Sequence, residues 1–304
     1  MKKIKRDNLD QAYQYIKGNC EDLYKCLFRY YFFNGSSSNV LEELKKYQNE
    51  DGGFGHGLEP DFLLPLSSPM STTIAFQILN DLEVGDSEII EKAVNYLDKS
   101  FDENRPGWWS VPQEVNDYPH APWWNYDLNE KCTVIDHSWG NPSAEILGIL
   151  FKYRKYKVLN LEKILDFAVE YLLNIKKFKS EHELYCYIRM YPQISHQGQL
   201  KIRKKISEGI KQLICLDPEK WNNYVPRPFD FIQSKIHPLF SEIEDFVDLN
   251  CNYLVDKNED GIWQPNWKWN TYENDWKKSK KNWTAILTIK YYQILAEFRR
   301  IERT

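Results

Sequence analysis

The sequence predicts an all-α fold, an α/α toroid with an inner and an outer ring of helices and long loops gathered at one end. Three observations predict it. Apolar residues recur at helical spacing along most of the chain, and they do so in two kinds of segment. An Asn-Glu-Asp-Gly-x-aromatic turn occurs twice. Trp clusters between the helical segments, at Trp108-Trp109, Trp123-Trp124, Trp139, Trp263, Trp267, Trp269 and Trp276. No alternating run of useful strand length occurs.

The elements follow in chain order. Helices precede Phe33, and an amphipathic helix covers Val40 to Tyr47. The turn Asn49-Glu50-Asp51-Gly52-Gly53-Phe54 ends it. Ser68-Pro69 then opens an apolar segment near 70–82, where a capping hydroxyl before a first-turn proline is a normal helix start. Ile89, Ile90, Ala93, Val94 and Leu97 form the next one-sided stripe, followed by a degenerate turn, Pro106-Gly107-Trp108. Asn141-Pro142 opens a second apolar segment near 141–153. Further stripes are Leu161, Ile164, Leu165, Ala168, Leu172, then Ile202, Ile206, Ile210, Leu213, Ile214, with an inner helix near 182–191 between them. Asn222 to Pro238 is a Pro-rich loop, Glu242 to Leu254 an outer helix, and Asn258-Glu259-Asp260-Gly261-Ile262-Trp263 the second full turn. The last inner helix lies near 282–298. A helix with no polar face is buried on most sides, whereas a one-sided stripe keeps a wet face. The alternation of the two gives inner and outer helices. The pair recurs every ~45–60 residues, which gives about five to six hairpins. No linker interrupts them, so the expectation is one domain over 1–304.

Composition excludes several function classes. The 42% hydrophobic and 28% charged fractions suit a globular chain with ample core, not a disordered one. No uncharged apolar run approaches the ~20 residues of a membrane span, and the basic start has no apolar stretch behind it, so no signal peptide is expected. A net charge of −4 with mixed signs makes no electrostatic case for nucleic acid. Six scattered cysteines without a C-x-x-C pair suggest reduced thiols and a cytoplasmic protein.

Gln48-Asn-Glu-Asp-Gly-Gly-Phe54 resembles the Gln-Trp repeat of the terpenoid cyclase and protein prenyltransferase superfamily, the squalene cyclase-like toroids. There a Gln, an Asp-Gly and an aromatic end each outer helix and tie it to its neighbour. The second copy departs, with Lys257 in place of the Gln, and the third keeps only Gly107 and Trp108. The resemblance implies a toroid whose central cavity takes an isoprenoid or another hydrophobic substrate. Neither Asp-x-Asp-Asp nor Asp-Asp-x-x-Asp, the acid motifs of the cyclases and synthases, is present, so it implies a divergent member. Magnesium would accompany a diphosphate substrate. α/α toroids also carry sugar-processing enzymes with paired carboxylates and Trp platforms, and a binding scaffold without chemistry is the third reading.

Three loops carry the candidate chemistry. In the first, Glu59 and Asp61 stand two apart in an unusually apolar run containing Phe62, Leu63, Leu64 and Leu66, and they can form an acid/base pair. The second, Val111 to Tyr126, holds Glu114, Asp117, His120, Tyr118, Trp123 and Trp124, stiffened by prolines. It is either a site wall or a hydrophobic lid whose polar groups satisfy its own backbone. In the third, Asp136 stands beside His137 and can orient it, and Glu145 lies one turn into an apolar helix. There it is either a general acid or the partner of Arg154 or Arg189. Trp108, Trp109 and Trp139 are further substrate-lining candidates. So are Arg227 and Asp230, which can clamp an anion or simply pair, and Trp267, Trp269 and Trp276. Cys132, Asp136 and His137 could together be metal ligands, but no fixed spacing supports a site, and no metal ligand is assigned.

Overall fold

A computed structural model describes residues 1–85, 87–156 and 159–302. These residues are mostly helical. The helices are α1 (Asp7–Asn19), α2 (Asp22–Phe32), α3 (Ser37–Lys45), α4 (Pro69–Asp81), α5 (Glu88–Lys99), α6 (Gly140–Lys152), α7 (Leu161–Asn174), α8 (Glu181–Met190), α9 (His196–Leu213), α10 (Pro228–Phe231), α11 (Val247–Asp256) and α12 (Glu273–Glu297). One short antiparallel ladder, β1 (Tyr126–Asp127) with β2 (Cys132–Thr133), departs from the strand-free expectation. No described helix is long and apolar enough to cross a membrane, and no disulfide joins the six cysteines.

The chain divides into two compact units. The first holds Lys46–Leu213 and therefore α4 to α9. Here α6 packs on α4 and α8, and α7 on α6 and α9. The division into helix types is physical. Every residue from Gly140 to Leu150 in α6 is buried, whereas α5 buries only the stripe Ile89, Ile90, Ala93, Val94 and Leu97. The start of α4 is as the sequence predicts, with the Ser68 hydroxyl accepting the Ser71 N–H and Pro69 in the first turn. At α6 the expected Asn cap is absent. The Asn141 side chain instead accepts from the Cys186 thiol of α8 at 3.6 Å.

The second unit holds Met1–Lys45 and Ile214–Thr304. Within it α2 packs on α1, α3 and α12, and α11 packs on α12. Aromatic rings fill this core: Phe28 meets Phe32, Phe33, Tyr13 and Tyr292, with centroids 4.8–6.1 Å apart. The buried Arg300 reaches Asp248 and the Lys2 carbonyl, and Ile4 bridges Ile301.

The sequence repeat has a structural counterpart. After each turn the backbone N–H of the aromatic residue donates to a hydroxyl on the helix that follows. Phe54 donates to Thr72 Oγ1 of α4 (3.1 Å), Trp108 to Ser143 Oγ of α6 (2.9 Å) and Trp263 to Thr288 Oγ1 of α12 (3.2 Å). The two indoles also reach back to the preceding helix, Trp108 Nε1 to the Leu97 carbonyl of α5 and Trp263 Nε1 to the Leu254 carbonyl of α11. Gln48 donates to the carbonyls of Gly52 and of Ile89 in the first turn of α5, both at 2.9 Å. In the second copy Asn258 accepts from Asn8 of α1 at 2.8 Å. Thr72→Val keeps the shape but leaves a buried N–H without an acceptor. It is expected to cost about 1–3 kcal/mol, read as a lower urea midpoint. An unchanged midpoint would show that the bond carries no load.

Candidate functional site

The segment from Gly55 to Phe62 is buried throughout except His56, and it is held from both sides. Its start runs beside its own end, His56 N–H to the Pro65 carbonyl and Gly57 N–H to the Leu64 carbonyl, both 3.3 Å. His56 itself bonds Asn49 Oδ1 at 2.9 Å, and Asn49 bonds the Pro65 carbonyl and Ser67. The far end pairs with the second loop. Leu63 N–H donates to the Pro119 carbonyl (2.9 Å), Ala121 N–H donates to the Asp61 carbonyl (2.8 Å), and Phe62 bridges His120. Backbone pairing thus joins two loops nearly sixty residues apart, and Glu59, Asp61 and His120 come together in one buried patch.

Burial of these groups decides their chemistry. Glu59 is 7% exposed and Asp61 5%. Burial, and then the neighbouring Asp61 charge, push the Glu59 carboxyl up to about 8, against the modest opposing effect of the Asp61 N–H it accepts at 3.1 Å. Glu59 is therefore a neutral acid near pH 7. His120 is also buried, and its Nδ1 lies 2.7 Å from the Tyr118 carbonyl. A carbonyl can only accept, so Nδ1 carries the proton in that bond. Trp124 closes the patch with its ring edge-on to Phe62 at 4.8 Å, and its buried indole N–H has no partner among the described residues.

The other sequence candidates are placed differently. Asp117 is exposed and Glu114 half-buried, in a single 3-10 turn from Gln113 to Asp117. Their loop is tied by Asn116, which bonds the Tyr126 carbonyl (2.8 Å) and N–H (2.9 Å). Asp136 does not orient His137. It accepts four hydrogen bonds, from the N–H and hydroxyl groups of Ser110 and Thr133, at 2.7–3.0 Å. Glu145 pairs with Arg189 at 2.9 Å, and it also accepts from Gln77 (2.7 Å) and Cys186 (3.7 Å). It joins α4, α6 and α8 rather than standing alone. Trp108 and Trp139 are buried scaffold, the latter bonding the Arg105 and Pro106 carbonyls. Trp109 and Trp123 are half-buried; Trp109 donates to Asp102 at 2.8 Å beneath the Arg105 guanidinium. Tyr118 is half-buried and supplies the carbonyl that holds His120.

The second unit carries the remaining candidates. Arg227 and Asp230 pair at 3.3 Å, Lys290 adds 3.1 Å to Asp230, and Arg227 bonds the Tyr291 hydroxyl. Burial alone would raise the Asp230 carboxyl, but Lys290 and Arg227 bring it down to about 2. The guanidinium is thus already matched. Trp267 stands edge-on to Tyr224 and Trp283, and Trp269 packs on Trp276, which lies in the first turn of α12 and not in a loop.

Two groups escaped the sequence reading. Gln77 completes the tie of Glu145 to Arg189, across a loop whose length carries no spacing signal. Glu130 joins Cys132 and His137 in a cluster of metal-ligand types, a place the sequence reading gave to Asp136. No family model, curated protein or solved structure matches the chain.

Proposed function

We propose that this chain is an acid–base enzyme acting on an isoprenoid or similarly hydrophobic substrate, with Glu59 as the proton donor. The observation that carries the reading is the buried Glu59 carboxyl, which burial raises to about 8, three residues before the Phe62 ring that meets Trp124. A carboxylic acid held protonated near neutral pH can protonate an alkene or a leaving oxygen, and burial is the main cause that raises Glu59. Aromatic faces stabilise the cation that protonation creates. The repeat supports the toroid that the resemblance implies. Gly261 of the last turn rests on Asn8 and Ala12 of α1, as expected where a ring of hairpins meets its own beginning. A cytoplasmic location and a magnesium requirement with diphosphate substrates belong to the same proposal.

One observation favours a second reading. Two neighbouring buried carboxyl groups, Glu59 and Asp61, alongside the half-buried Trp109 and Trp123, also suit a carbohydrate hydrolase or lyase. Thermal shifts against prenyl alcohols and diphosphates with magnesium, and against neutral and acidic oligosaccharides, separate the two. The expected result is a prenyl-specific shift, with turnover lowered about 100-fold or more in Glu59→Gln. A sugar-only shift transfers the assignment to glycan chemistry. No shift from either panel would favour a binding scaffold, and retained turnover in Glu59→Gln would remove Glu59 from the chemistry.

The acid itself has a separate readout. A carboxyl raised from 4.5 to about 8 binds its proton more tightly folded than unfolded. Its contribution is therefore fully present at low pH and is lost as pH rises through that window. Wild type is expected to lose stability to urea between those values relative to Glu59→Gln, and to lose no more of it above. Parallel curves for the two proteins would refute the raised acid.

A further inference from the structure

We propose that Glu130, Cys132 and His137 form a site for one divalent cation of the zinc class, with the fourth coordination position open. A thiol sulfur, an imidazole nitrogen and a carboxylate oxygen lie within 4.8 Å of one another. Around a tetrahedral zinc with bonds of ~2.0–2.3 Å, neighbouring donors stand about 3.4 Å apart. Glu130 and His137 meet at 2.8 Å and part slightly to admit the ion, and because both are exposed, side-chain rotation supplies the adjustment.

The frame that presents these donors is held by other residues. Asp127 accepts the N–H groups of Asn129 (2.7 Å) and Glu130 (3.0 Å), and Lys131 turns the chain at φ 55. Cys132 then pairs with Asp127 in the β1–β2 ladder. The single turn from Val134 to His137 is set by the reciprocal bonds of Thr133 and Asp136, and Asp136 is anchored to Ser110. None of these contacts uses a donor atom of the proposed ligands, so the site is organised in advance of the ion.

Cys132 points to a ligand independently. It is 7% exposed, yet its thiol makes no hydrogen bond among the described residues. An exposed Glu–His pair is worth little and gives no reason for a buried sulfur beside it. On binding, the thiol proton leaves to solvent, the sulfur lone pair goes to the metal, and no oxidation occurs. The thiolate and imidazole select against magnesium and calcium, which prefer all-oxygen cages. This site stands apart from the Glu59 proposal and does not depend on it.

The test uses the full chain, reduced and stripped with a chelator, then titrated with Co²⁺ as a spectroscopic probe and with Zn²⁺ by calorimetry. The expected result is one equivalent bound, with a sulfur-to-metal charge-transfer band and strong four-coordinate visible absorption, both displaced by Zn²⁺. Cys132→Ser should abolish the charge-transfer band, and His137→Ala should weaken binding about tenfold or more. Cys215→Ser should change neither. His137 is exposed, so its variant keeps the test decisive if Cys132→Ser fails to fold. Binding without a thiolate band, a band that survives Cys132→Ser, or unchanged affinity in His137→Ala overturns the proposal.

Discussion

Asp136→Ala is expected to cost about 3–5 kcal/mol, enough to unfold much of the first unit at ordinary temperature. The reason is the number of donors left behind. The carboxylate is 3% exposed and receives the N–H and hydroxyl groups of both Ser110 and Thr133. Ser110 in turn offers its carbonyl to the Met70 N–H at the start of α4. Removing the acceptor strands buried donors at a junction of three segments. Asp136→Asn should cost less, because one amide oxygen still accepts, but its NH₂ group would face donors. Urea unfolding by fluorescence checks the order wild type, Asn, Ala. A folded Asp136→Ala protein of near-normal stability would return Asp136 to the list of chemical candidates. The same variant should disturb the cation site indirectly, since Asp136 sets the turn that ends at His137.

Much of this fold was legible in the sequence because burial is periodic. The all-round apolar run that opens at Ala144 and the one-sided stripe at Ile89–Leu97 differ in pattern, and the two helices differ in burial in the same sense. The Asn-Glu-Asp-Gly turn was legible for a related reason: a left-handed backbone needs glycine, and Gly52 and Gly261 supply it. The hydroxyl ties were not. Thr72, Ser143 and Thr288 follow their aromatic partners by 18, 35 and 25 residues, and loops of unequal length erase any period.

The burial of the candidate acids was legible where composition conflicted with location. Glu59 and Asp61 in a run of Phe and Leu signalled a buried acid, and burial is what raises Glu59. The reading overreached where a residue's type was mistaken for its availability. Trp108 and Trp139 have the surface of a sugar or isoprenoid platform, but their indole N–H groups are committed to backbone carbonyls. Asp136 adjoins His137 in sequence, yet the short turn sends its carboxylate to Ser110 and leaves the imidazole to Glu130. Glu145 on an apolar helix signalled either an acid or a partner, and Arg189 makes it a partner. In each case the deciding contact spans a loop, which local pattern does not encode.

Gly52→Ala and Gly261→Ala carry the other large expected effect, about 3 kcal/mol or more each. Gly52 sits at φ +93, where a side chain is strained, and a Cβ there would lie 2.3 Å from the Lys92 carbonyl oxygen of α5. Gly261 sits at φ +85, and its Cβ would lie 2.5 Å from the Asn8 carbonyl oxygen and 2.8 Å from the Ala12 nitrogen of α1. Both clashes are with helix backbone, which cannot rotate away as a side chain can. Gly18, in the last turn of α1 with nothing near its Cβ position, is the control. Gly18→Ala should be neutral or stabilising by up to about 1 kcal/mol, because alanine loses less entropy in a helix. Hydrogen exchange gives the location of each loss: Gly52→Ala should loosen α5, and Gly261→Ala should loosen α1. Equal costs would mean that the two turns do the same mechanical work, each seating itself against the backbone of a helix. A tolerated Gly261→Ala would break that equivalence. It would also remove the support for a ring in which the last turn meets the first helix, because that support rests on the close approach of Gly261 to Asn8.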